Sequence, residues 1–167
     1  MVILSGMTEK PLAPPARHFD SLAQEAFLNL WRTYDRLRAL EDALFAQFDL
    51  TAQQYNVLRL LRGAHPEALP TLGIAARLVT HAPDITRMLD KLEAGTLIER
   101  ERPAGNRRTV LIRITSEGLA RLKQIDKPLR ECHQQQLGHL SPEQLDQLVS
   151  LLQLARAPHE PEDSTWK

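Results

Sequence analysis

The sequence predicts a mainly α protein of six helices with one small β-wing. Apolar residues recur at helical spacing through most of the chain, and they alternate with a period of two only near Val110 to Thr115. Between the two patterns lies a basic turn, Gly105-Asn106-Arg107-Arg108. A chain of 167 residues is most simply one domain and is long enough to bury a real core.

Residues 1–17 hold Pro11, Pro14 and Pro15 without periodicity and read as a flexible N-terminal arm. From His18 the apolar set Phe19, Leu22, Ala26, Leu30, Tyr34, Leu37, Leu40, Leu44 and Phe48 marks a long first helix. Thr51-Ala52-Gln53-Gln54 has the spacing of a capping box, and it opens a second helix ending near Gly63. Pro66 and Pro70 mark a loop, and Thr71 is placed to cap a short third helix through Leu78. Pro83 suits the first turn of a fourth helix, whose Ile85, Met88, Leu89 and Leu92 face inward and which Gly95 stops.

Two strands follow, with Val110, Ile112 and Ile114 on the buried face of the second. Thr115 caps a fifth helix carrying Leu119, Leu122, Ile125, Leu129 and Leu137, with Pro128 expected to kink it. Ser141-Pro142-Glu143-Gln144 is a second capping box. The last helix shows Leu145, Leu148, Val149, Leu152 and Leu154, more apolar surface than a lone terminal helix hides. Residues 158–167 read as a flexible tail.

No apolar run approaches the ~20 residues of a membrane-spanning helix, and Met1 to Ser5 lack the pattern of a signal peptide. A lone Cys132 precludes an internal disulfide and fits a reducing cytoplasm. A glycine-rich phosphate loop, HExxH and Gly-x-Ser-x-Gly are all absent, which argues against an enzyme. Cys132, His133 and His139 match no familiar zinc spacing, so neither a metal nor a cofactor is expected. Net charge is zero, yet residues 71–115 hold eight basic and five acidic side chains. That modest excess falls on a helix-turn-helix followed by a basic hairpin, a device for reading duplex DNA in both grooves.

These residues resemble the MarR family of bacterial winged-helix regulators. The likeness rests on Leu50-Thr51-x-x-Gln54-Tyr55-x-Val57-Leu58, on Thr86-Arg87-x-Leu89-Asp90-x-Leu92-Glu93 and on Leu97-Ile98-x-Arg100, with Arg108 and Ile114-Thr115-x-x-Gly118 beyond. It implies a winged helix-turn-helix over 50–115 within a single domain of residues 18–157. Helices over 18–48 and 116–157 would interlock as an obligate homodimer, and paired recognition helices would enter successive major grooves of a pseudopalindromic site.

On this resemblance Arg87 sits where a base-edge or phosphate donor is placed, and Arg107 at the wing tip that enters the minor groove. Arg108 matches the arginine that braces the wing. Arg77, Lys91 and Arg113 are candidate phosphate contacts, and Asp84, Thr86 and Thr109 complete the candidate DNA-binding set. Three positions depart from the family pattern. Asn106 stands for an aspartate, Thr96 for a glycine, and Asp84 for a small hydroxyl residue near the DNA backbone.

Relatives of this kind bind aromatic or phenolic acids, which makes Trp31, Arg38 and Tyr55 a candidate ligand pocket for a small aromatic-acid effector. The expectation is a cytoplasmic, non-enzymatic repressor that binds double-stranded DNA as a homodimer. Two alternatives are a winged-helix protein-interaction module and a thiol-based redox sensor acting through Cys132.

Overall fold

The computed structural model describes residues 19–79, 84–103, 109–162, 164 and 166. Among them, six α-helices run in the order α1 (Leu22–Ala46), α2 (Ala52–Ala64), α3 (Thr71–Ala75), α4 (Ile85–Ala94), α5 (Ser116–Leu137) and α6 (Pro142–Arg156). Three short strands, β1 (Leu69–Pro70), β2 (Ile98–Glu101) and β3 (Leu111–Ile114), form an antiparallel sheet in the order β1-β3-β2. The chain divides into two units, Met1–Arg36 and Leu37–Lys167, and α1 runs from the first into the second.

In the first unit, α1 begins at Leu22 rather than at His18. The Ser21 hydroxyl accepts from the Gln24 amide, and the Gln24 side chain accepts from the Asp20 amide, so the start is set by polar capping rather than by apolar spacing. Phe27, Leu30, Trp31 and Tyr34 line an apolar groove on this helix, and Leu22, Phe27 and Trp31 are each more than half exposed.

The second unit holds the core. Phe45, Val57, Leu58, Leu61, Ile74, Leu89, Leu92, Ile112, Leu122 and Ile125 are buried together. Both expected capping boxes form, at Thr51–Gln54 and at Ser141–Gln144. Thr71 does not cap α3. It is the first residue inside the helix, the N-cap is Pro70, and the Thr71 amide donates to the Val110 carbonyl. That bond continues the pairing of β1 with β3, in which Leu69 faces Ile112. The expected two-stranded wing is thus the larger part of a three-stranded sheet.

Pro83 lies outside the described residues. Asp84 is the N-cap of α4, its carboxylate accepting from the Arg87 amide at 3.3 Å. Gly95 ends the helix, but the left-handed residue is Thr96, with φ 60°. Helix α5 runs unbroken across Pro128. Its buried set includes Cys132 and Gln136, the latter donating to the Leu37 carbonyl at 2.8 Å. Helix α6 buries none of its residues, and Val149, Leu151 and Leu154 are 51, 64 and 72% exposed. Beyond it a short 3-10 turn, Ala157–His159, leads to Glu160, which pairs with Arg156 at 2.8 Å. The Trp166 carbonyl accepts from the same arginine at 3.0 Å, so the described part of the tail folds back on Arg156.

Candidate nucleic-acid interface

Helix α4 has the steepest division between faces of any helix here, with Met88, Leu89 and Leu92 buried and Asp84, Thr86, Arg87, Asp90 and Lys91 exposed. The core therefore fixes the rotation of α4 about its axis, and its polar residues are left to solvent. A recognition helix needs this arrangement, because side chains near its N-terminus must reach base edges while its apolar stripe stays docked.

Strand β2 adds a second constraint. Ile98 and Arg100 share one sheet face, since side chains on a strand alternate. Ile98 is buried, and Arg100, one pleat on, is turned to α4. Its guanidinium lies 2.6 Å from the Asp90 carboxylate and 3.2 Å from that of Glu93, and it donates to the Thr86 carbonyl at 3.3 Å. One side chain thus ties three points of α4 to the wing. The sequence showed Arg100 as part of the resemblance but carried no local signal for this brace.

Among the expected DNA contacts, Thr86, Arg87 and Lys91 share the exposed face of α4. Arg77 is exposed in the turn that follows α3, and Thr109 is half-buried just ahead of β3. Arg107 and Arg108, with Gly105 and Asn106, lie outside the described residues. Arg113 is a correction. It stands opposite Glu99 in the sheet register, lies 3.6 Å from both Glu99 and Glu101, and donates to the Pro66 carbonyl. Its charge is already offset, so it is poorly suited to phosphate.

A cleft of about 520 Å³ opens between α3, α4 and the wing, lined by Thr71, Leu72, Thr86, Leu89, Arg100 and Arg102 among others. It combines apolar walls with two guanidinium groups, and no local sequence pattern pointed to it. Each residue expected to line a ligand pocket has its own immediate neighbours. Trp31 meets Phe27 with ring centroids 6.1 Å apart. Arg38 pairs with Asp42 one turn on, at 3.2 Å. Tyr55 stacks on Phe45 with centroids 4.7 Å apart, and burial raises its phenol pKa.

Comparison with known proteins adds direct likenesses. Residues 50–110 match the model of the MarR family. The crystal structure of a MarR transcription factor from Planctomyces limnophilus is 54% identical, with a TM-score of 0.66, over 81% of this chain and 98% of that one. The HTH-type transcriptional regulator PecS of Dickeya dadantii is 32% identical over 69% of each chain. The homoprotocatechuate degradative operon repressor of Escherichia coli is 28% identical, covering 63% of this chain and 70% of the relative. Taken with the braced, outward-facing α4 and the sheet behind it, these matches place the chain in the MarR family, as a winged-helix DNA-binding transcriptional regulator and not an enzyme.

Proposed function

We propose that the protein acts in the cytoplasm as a homodimeric repressor on a pseudopalindromic DNA site, released by a small aromatic acid. The observation that carries this reading is the exposed Thr86, Arg87 and Lys91 face of α4, held in register by Arg100. Arg87 supplies a guanidinium fork matched to the two acceptors of guanine. Lys91 and Arg77 set the register through phosphate, Arg107 reads the minor groove, and Arg108 and Thr109 support that contact.

A homodimer is supported by the apolar residues of α6 that stand exposed, Val149, Leu151 and Leu154. Such a surface is costly to leave in water and suits a second copy. Repression is supported by the name of the Escherichia coli relative, an operon repressor.

For the effector, the cleft beside α4 is better furnished than the surroundings of Trp31, Arg38 and Tyr55. It offers Arg100 and Arg102 to a carboxylate and Leu72 and Val110 to a ring. A bound carboxylate would compete with Asp90 and Glu93 for Arg100 and loosen α4. Such a ligand shifts DNA affinity only by its differential affinity for the loosened state.

The test is fluorescence anisotropy with a duplex from the protein's own promoter, titrated with salt and then with hydroxybenzoates. A steep fall of log K with log salt, one dimer per site, and release by the acids that Arg102→Ala abolishes are expected. A stable monomer, or no binding at low ionic strength, would overturn the regulatory reading. Release that is indifferent to Arg102 would overturn the cleft alone.

A further inference from the structure

Asp84 is a carboxylate on a surface built to approach phosphate, and it needs an explanation. As an N-cap alone it gains little over serine or asparagine, which cap equally well without the charge. Its geometry offers another use. One oxygen, Oδ1, accepts from the Arg87 amide at 3.3 Å, and the other, Oδ2, lies 3.9 Å from Arg87 Nη1. The second distance is beyond a hydrogen bond, so the two groups attract without consuming each other's donors and acceptors. Both side chains are well exposed, Arg87 at 75% and Asp84 at 62%. The Arg100 bond to the Thr86 carbonyl fixes the backbone between them.

An acceptor and a donor fork therefore stand side by side at the N-terminal end of α4, the end that meets base edges. In the major groove, guanine shows two acceptors and cytosine shows a donating amino group. Thymine O4 and guanine O6 would both repel a carboxylate.

We infer that Asp84 and Arg87 act as one reading unit that selects a cytosine beside a guanine in each half-site, Asp84 accepting from the cytosine amino group while Arg87 donates to guanine. This rests on the DNA-reading role proposed above and gives it a base preference. Asp84 also acts by exclusion, since a base that presents only acceptors leaves its charge facing negative oxygen in the groove.

The test is selection from a random duplex library by the full-length protein, comparing wild type with Asp84→Asn and Arg87→Lys. Asparagine preserves the cap, so the fold is not at issue. Wild type should enrich adjacent cytosine and guanine in both half-sites. In Asp84→Asn the preference for cytosine over thymine should fall by about tenfold, with the guanine preference retained. In Arg87→Lys the guanine preference should weaken instead. An unchanged motif in Asp84→Asn, with affinity raised equally on all sequences, would reduce Asp84 to a cap and overturn the inference. A wild-type motif lacking that cytosine would overturn it while leaving DNA reading intact. No enriched motif at all would instead remove the DNA-reading role on which it rests.

Discussion

The guanidinium of Arg100 on β2 lies 2.6 Å from the carboxylate of Asp90 on α4. Glu93, one turn along the same helix, approaches the same nitrogen at 3.2 Å, so two like charges are held together by one cation. Arg100 is only 24% exposed, which reduces solvent screening on its side of the pair. Replacing it with alanine leaves Asp90 and Glu93 unopposed and frees the Thr86 carbonyl. We expect Arg100→Ala to lower unfolding free energy by about 1 kcal/mol, because the carboxylates are partly solvated. DNA affinity should fall while the slope of log K against log salt stays the same, since Arg100 braces the helix rather than neutralising phosphate. A reduced slope would make Arg100 a phosphate contact.

Thr96 is the costliest backbone position described. Its φ is 60°, a left-handed conformation in which a β-branched residue crowds its own carbonyl. Asp49 shares this region at φ 56°, but a short polar side chain tolerates it better. The site persists because it closes α4 onto the wing. The Thr96 amide donates to the Glu93 carbonyl, and its own carbonyl accepts from the Thr115 hydroxyl at 2.7 Å. Glycine keeps both backbone bonds and removes the clash. Thr96→Gly should stabilise by roughly 1 kcal/mol, read as a rise in Tm of about 2–4 °C. A fall in Tm would show that the Thr96 hydroxyl, which donates to the Gly95 carbonyl, outweighs the strain.

The capping boxes at Thr51 and Ser141 were legible because each needs residues only three apart. The inward face of α4 was legible for the same reason, its period being local. A third polar start, Ser21 with Gln24, carries the same spacing, but Phe19 ahead of it continues the apolar pattern and masks the boundary. Strand β1 was not legible. It has two residues, one of them proline, and it exists through pairing with β3, some forty positions away. The partners of Arg100 and Arg113 were hidden likewise, because sheet register and helix docking decide which carboxylates each arginine meets. A basic residue in sequence announces a charge, not whether that charge is free.

Cys132 is buried on α5, and its thiol pKa is raised, first by burial and then by the Glu41 carboxylate. Both effects disfavour thiolate, the reactive form in oxidant sensing. An unfolded thiol ionises near pH 8.5. The stability that the buried thiol contributes is therefore complete below that value and is lost as pH rises through its own higher pKa. Cys132→Ala should be less stable than wild type at pH 7.5, and the gap should narrow toward pH 10 in urea unfolding. Peroxide should leave DNA binding intact. Rapid alkylation at pH 7, or reversible loss of binding on oxidation, would restore the redox reading.

Gly118 lies in the first turn of α5, where the helix crosses the start of β2. A Cβ built there would fall 2.3 Å from the Leu97 carbonyl oxygen and 2.7 Å from the Ile114 Cγ1. The carbonyl has little freedom to withdraw, because it accepts from the Thr115 amide at 3.1 Å. Thr115 in turn caps α5 by accepting from the Gly118 amide at 3.0 Å, so a displaced helix would also lose its cap. In an open helix, alanine would gain about 1 kcal/mol over glycine from propensity. Here the clash opposes that gain with about 1–3 kcal/mol of overpacking, and the strained cap adds to it. Gly118→Ala should therefore destabilise by roughly 1–3 kcal/mol despite the better helix former. Urea unfolding decides the sign, and a neutral or stabilised variant would mean that α5 and the wing can slide apart without cost.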